Sequence, residues 1–147
     1  MKIRLFLLCL LAQFVAFAYA QGSAGFSASG TVSVEVTILE SKVEKAIMPA
    51  QEQAIFQVLF RGVPGTAYES PLLTTDEEGW FRSFPEYFGQ LLDKDRGRMS
   101  SFIVSANLLS KGKNADKKKY VSLQICVNVN ALLHDLQNHG IKRRFGL

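Results

Sequence analysis

The chain has 147 residues, 48% of them hydrophobic and 20% charged, with two cysteines and a formal net charge of +4. That is one domain's length of chain, too apolar for an intrinsically disordered protein and too poor in cysteine for a disulfide scaffold. No apolar run reaches the ~20 residues that a membrane-spanning helix needs.

Lys2 and Arg4 precede an uncharged run over residues 5–20, which closes on Ala18-Tyr19-Ala20. Basic flank, short apolar core and A-x-A site read as a secretory signal peptide, residues 1–20. Cys9 sits mid-run behind Leu7 and Leu8, with no small residue before it, which argues against a lipid-attachment cysteine. Removing the signal takes Lys2 and Arg4 from the 17 basic residues, leaving 15 against 13 acidic ones, and leaves Cys126 without a second thiol. Such a chain closes no internal disulfide, so its core must hold the fold. Residues 21–30 are small and polar and read as a flexible mature N-terminus. Residues 31–147 are then expected to form a single α+β domain.

Residues 31–38 alternate strictly, Val32, Val34, Val36 and Ile38 against Thr31, Ser33, Glu35 and Thr37, the pattern of a half-buried strand. Ser41-Lys42-Val43-Glu44 fits a capping box at a helix start. Beyond it Val43, Ile47, Ala50, Ala54 and Val58 recur at helical spacing, with Pro49 predicting a kink or a restart. Gly62 and Pro64 predict the stop. Residues 63–84 read as one long connection. Pro85 then opens a short helix over residues 86–92, carrying Tyr87, Phe88, Leu91 and Leu92, and ended by Asp93 to Gly97.

Residues 99–109 read as a second strand, with Phe102, Val104, Ala106 and Leu108 sharing a face. A basic turn over residues 111–119 joins it to a third strand over residues 120–130. There Val121, Leu123, Ile125, Val127 and Val129 alternate against Tyr120, Ser122, Gln124, Cys126 and Asn128. Asn130 is the expected N-cap of a last helix over residues 131–139, striped by Leu132, Leu133 and Leu136. Gly140 and Ile141 predict its Schellman ending. The order β-α-α-β-β-α points to a two-layer sandwich, a three-stranded, mainly antiparallel sheet covered on one face by helices.

Charge divides unevenly: residues 21–95 hold 11 acidic and 5 basic side chains, whereas residues 96–147 hold 2 and 10. Lys111, Lys113, Lys117, Lys118 and Lys119 are the candidate contacts for a polyanion or a negatively charged membrane surface. They lack the interleaved aromatics and arginines of a nucleic-acid site, so no nucleic acid is expected. A solvated turn is the plainer reading of the same residues.

Candidate chemistry is sparse. His134 and His139 stand five apart on the last helix, which sets their rings roughly 140° apart rather than side by side on a metal. Cys126 falls on the polar side of its strand, and an enzyme built on it would need His134 as base. Asp76, Glu77 and Glu78 are consecutive, unlike the alternating ligands of a calcium loop. Phosphate loops, nucleophile elbows and zinc-knuckle spacings are absent from the sequence, so no catalytic residue, metal or cofactor is assigned. The long connection supplies Tyr68, Trp80, Phe81 and Phe84 as candidate partner anchors, with core plugs as the rival reading.

Two stretches carry a resemblance. AIMPAQEQAIFQVLFRGVPG, residues 46–65, is an Ala-spaced helix closing on Leu-Phe-Arg-Gly. Residues 121–146, ending VNVNALLHDLQNHGIKRRFG, run a strand directly into a short Leu-rich helix. Together they resemble small exported proteins of Bacteroidota-type bacteria. More distantly they are similar to the strand-helix-strand-strand module of flagellar assembly protein T and its lipoprotein relatives. The chain departs from these in having no lipobox cysteine and in the loop 66–84. The resemblance implies a non-catalytic envelope module. The expectation is therefore an exported, periplasmic or extracellular protein that binds or scaffolds another envelope component. Polyanion or membrane-surface binding through the basic half, and a Cys126 enzyme, are the alternatives.

Overall fold

The structure, a computed structural model, describes residues 30–74, 76–93 and 97–142. The expected signal peptide over residues 1–20, residues 21–29, Thr75, Lys94, Asp95 and Arg96 of the expected helix stop, and residues 143–147 lie outside them. Its elements are β1 (Thr31–Ile38), α1 (Val43–Phe56) running into a π-helical turn (Gln57–Arg61), α2 (Glu77–Ser83) and α3 (Pro85–Leu92). A 3-10 turn (Met99–Phe102), β2 (Ile103–Lys113), β3 (Lys119–Asn128) and α4 (Val129–Asn138) complete them. The class is α+β. β3 lies central in an antiparallel sheet of order β1-β3-β2. No helix among the described residues is long and apolar enough to cross a membrane.

Period-two patterning decides the sheet. Val32, Val34, Val36 and Ile38 are buried, as are Val121, Leu123, Ile125 and Val127, while Ser33, Glu35 and Thr37 on the other parity are exposed. The buried rows share one core with Ala46, Ala50, Ala54 and Ile55 of α1, Phe88 and Leu91 of α3, and Leu132 and Leu136 of α4. Gly30, assigned above to the flexible terminus, belongs to this body: it is buried, and its carbonyl accepts from the Asn130 N–H at 3.1 Å.

Several boundaries differ from expectation. The capping box does not form. Lys42 occupies the N-cap without a side-chain bond, and the Ser41 N–H is held by Glu40 at 3.2 Å. α1 runs through Pro49 without restarting, then widens into the π turn that closes with Gly62 N–H on the Gln57 carbonyl at 2.8 Å. The helix end leaves carbonyls needing donors, and the chain supplies them from afar: Leu72 N–H to Val58 and Leu73 N–H to Leu59. Gly62 takes φ +76°, and a side chain there would run into the Glu69 carbonyl, so glycine is needed on both counts.

The long connection contains a helix. Asp76 caps α2 by accepting from the Gly79 N–H at 3.0 Å, and Glu77 and Glu78 follow in its first turn, where the helix dipole favours acids. β2 begins later than expected: Met99 and Phe102 lie in the 3-10 turn, and irregularities at Val104 and Leu109 interrupt the ladder. Val104 is therefore exposed rather than sharing the core face with Ala106. α4 starts two residues early. Asn128, not Asn130, caps it through the Ala131 N–H, so Val129 is buried from a helical turn and not from the strand. Its far end is the expected Schellman motif, with Gly140 at φ +69°, Gly140 N–H on Gln137 and Ile141 N–H on Leu136.

The β2–β3 turn is tight. Lys117 N–H bonds the Asn114 carbonyl and Asn114 N–H the Lys118 carbonyl, both at 2.9 Å, and Lys117 takes φ +59°. This is a three-residue loop whose left-handed position favours glycine. Lys117→Gly should therefore raise stability by up to about 1 kcal/mol, read as a higher midpoint in urea.

Candidate functional site

The strand order leaves two edges free, and they differ. The outer edge of β1 borders a cleft of about 630 Å³ between the strand and the end of α1. Residues 33–37 form one wall; Gln53, Phe56, Gln57 and Arg61 form the other, with Val63 and Glu77 beside them. Among the described residues, the backbone of 33–37 has no hydrogen bond besides its ladder to β3. Alternate amides and carbonyls of an edge strand point outward, so this cleft carries a row of unpaired donors and acceptors. Phe56 and Val63 give it apolar surface. Arg61 and Glu77, 4.0 Å apart, put a charge of each sign on the side facing the strand, and Glu35 of the strand adds a second carboxylate.

The open face of the sheet is polar and locally tied. Thr37 Oγ1 donates to Ser122 Oγ at 3.3 Å, which donates to Glu35 Oε1 at 3.2 Å. Cys126 lies on this face between Ser33 and Ser105, half-buried. His134 lies elsewhere, on the exposed side of α4, next to Asn138 at 3.1 Å. The structure therefore does not bring the thiol and this imidazole together.

The four candidate partner anchors sit against the core. Tyr68, Trp80, Phe81 and Phe84 are all half-buried and pack on it. Phe81 stacks into a ring cluster with Phe56, Phe60 and Phe88, its centroid 4.7 Å from that of Phe88. Trp80 stacks on Phe84 at 5.9 Å, and its indole N–H bonds Thr74 Oγ1 at 2.8 Å. Trp80 also edges a shallow depression with Pro71, Leu72 and Lys142, whose ammonium is bonded to the Leu72 carbonyl. Lys111, Lys113, Lys117, Lys118 and Lys119 are exposed on the hairpin. Glu78 pairs with Arg82 along α2 at 3.6 Å, so the acidic run is spent on a helix start.

One cluster was not visible in the sequence. Asp135 of α4 accepts the Tyr87 hydroxyl at 2.9 Å and one Arg98 nitrogen at 3.0 Å on both oxygens. His139 donates Nδ1–H to the Asp135 carbonyl at 2.8 Å, and its Nε2 faces Arg98 at 3.3 Å. A carbonyl only accepts, so Nδ1 carries a proton here, with the Asp135 carboxylate 3.7 Å away. Arg98 lies over the Tyr87 ring, 5.3 Å from its centroid, and reaches Gln90 at 2.9 Å. Burial first, then the bond to Asp135 and its charge, push the Tyr87 phenol well above its ordinary value, while Arg98 pulls it down. These groups satisfy one another and lock α3 to α4. Among the described residues, no three His, Cys, Asp or Glu side chains gather as a metal site.

No protein-family model, curated protein or solved structure matches this chain. Sequence reasoning missed the β1 cleft because a free edge is a property of strand order, which alternation alone does not carry.

Proposed function

We propose that the chain is an exported, non-enzymatic module that holds a partner protein by taking an extended segment of it as a fourth strand beside β1. The observation that supports this reading is the unpaired outer edge of residues 33–37 lining a cleft. Main-chain bonds to such an edge give affinity, and side chains alternating into the cleft give selectivity. Inward side chains of the segment would meet Phe56 and Val63; outward ones would join the polar row of Ser33, Glu35 and Thr37. A segment with alternating small apolar and polar residues fits. Export rests on residues 1–20. The non-enzymatic reading is supported by the way Tyr87, Arg98, Asp135 and His139 are engaged with each other. Agreement with the resemblance to envelope modules adds to it.

A photo-crosslinking residue at exposed Gln53, introduced in the native cell, tests this. The expected product is a single partner crosslinked within one segment of about 5–8 residues. A peptide of that segment should then slow amide exchange at alternate positions of 33–37. Crosslinks no more selective than those from Asn107 on β2, or unprotected β1 amides with the peptide bound, would defeat the reading.

A further inference from the structure

The opposite edge of the sheet has different chemistry. β1 stops at Ile38, whose register partner Val121 pairs with Lys111, so the hairpin beyond Lys111 projects past the end of the sheet. Among the described residues, three of the four exposed large hydrophobic side chains lie around this end: Leu39 is 60% exposed, and Leu108 and Leu109 are 47% each. Register places Leu108, Lys111, Lys113 and Lys119 on the same face of the hairpin, opposite Leu123, Val121 and each other. Lys117 and Lys118 follow at the tip, with Asp116 the carboxylate between the strands. Among the described residues, no ion pair engages any of these five lysines.

Two local costs stand out here. Lys113 lies directly across from Lys119, a like-charge pair that weakens a hairpin. Lys117 occupies a left-handed position better suited to glycine. Lysine on an edge strand also discourages sheet-to-sheet aggregation, which accounts for Lys111 and Lys113. Lys119 lies beyond the end of β1, on a free edge as well, so what edge protection leaves unexplained is Lys117 at the turn and the like-charge pairing of Lys113 with Lys119. An anionic surface relieves the repulsion, and an apolar boundary beneath it takes up the three leucines.

We propose that this end of the molecule docks on an anionic lipid bilayer, with the hairpin lysines engaging headgroup phosphates and Leu39, Leu108 and Leu109 entering the headgroup boundary. Lysine suits this role as a point charge, whereas a soluble polyanion read by geometry favours arginine's planar fork. The cleft is lined by residues 33–37, whereas the docking end is built from Leu39 and the hairpin, so different residues test the two readings and they stand or fall separately.

The test is co-sedimentation of the purified chain with vesicles of phosphatidylglycerol and phosphatidylcholine, against vesicles of phosphatidylcholine alone. Retention on the anionic vesicles is expected at low salt and is lost at high salt. Each Lys→Gln change among the five should lower vesicle affinity roughly fivefold. Lys113→Gln with Lys119→Gln removes a repulsion and should melt no lower than the parent, which separates lost docking from lost folding. Leu108→Ser with Leu109→Ser should weaken vesicle binding roughly tenfold and leave retention on heparin unchanged. Equal binding to neutral vesicles, or none to anionic ones at low salt, overturns the proposal. So does heparin retention combined with leucine changes that leave vesicle binding untouched, which would assign the lysines to a soluble polyanion.

Discussion

Phe60→Ala should cost about 3–5 kcal/mol and lower the melting temperature by on the order of 10–20 °C. Phe60 is 1% exposed and sits in the π turn, where its ring meets those of Phe56 at 5.8 Å and of Phe81 and Phe88 at 6.2 Å each. Three separate elements, α1, α2 and α3, thus place rings against one side chain. Truncation leaves a cavity that rings held by three backbones cannot collapse to fill. It also removes ring–ring contacts worth about 0.5–1.5 kcal/mol beyond their area. Against a total stability of about 5–15 kcal/mol, the variant is left marginal. Phe60→Leu keeps most of the volume and should lose less than half as much in the same melting experiment. Equal melting of parent and Phe60→Ala would mean that α2 and α3 are not docked on α1 as described.

The π turn also ties this aromatic centre to the β1 cleft. Phe56 lines the cleft on one side and contacts Phe60 and Phe81 on the other. Arg61, the last residue of the turn, forms part of the cleft wall and pairs with Glu77 at the start of α2. A segment entering the cleft therefore presses on a side chain shared with the core. A π-helical turn is a costlier geometry than a continued α-helix and recurs at functional positions. Here it lets Val58 and Leu59 accept from Leu72 and Leu73, which brings the connection back across the helix end.

How much of this was readable depended on whether one element decided the outcome alone. β1 and β3 were readable because each has one buried face, and a slip by one residue would turn Val34 or Ile125 into water. The Schellman ending of α4 was readable because Gly140 and Ile141 are local to it. The start of the same helix was not, since Asn128 and Asn130 are equally good caps. What separates them is Val129, which the core accepts from a helical turn. Asp76-Glu77-Glu78 is a helix start rather than a run of ligands, and the Glu78–Arg82 spacing of four is its sign in the sequence. Val104 was misassigned because a bulge shifts parity without leaving a mark in composition. The Tyr87–Arg98–Asp135–His139 cluster draws on α3, α4 and the turn before β2, so no window of sequence contains it. The exposed lysines were readable, but their alignment with Leu108 on one face needed the register.

Asp135→Ala should cost about 2–3 kcal/mol, and Tyr87→Phe should cost less but change the response to alkali. Removing the carboxylate leaves the Tyr87 hydroxyl and the Arg98 guanidinium without their acceptor. Breaking a buried ion pair costs about 3–5 kcal/mol, and the residual exposure of 23% at Arg98 and 22% at Asp135 lowers that figure by letting water in. For Tyr87, folding raises the phenol above its unfolded value of about 10. The folded state therefore holds its proton more tightly. The stabilisation is fully present below pH ~10 and is lost as pH climbs from there toward the folded value. Over that range this one group removes about 1.4 kcal/mol per pH unit. Tyr87→Phe deletes the titrating group. Its stability at neutral pH should fall by about 1–2 kcal/mol for the lost bond to a charged acceptor. The gap to the parent should then close as pH rises past 10, because only the parent carries the phenol. Urea midpoints measured at neutral and alkaline pH for both proteins decide it. A gap that stays constant would show that Tyr87 is not buried against Asp135, and with that the clamp joining α3 to α4 would be lost.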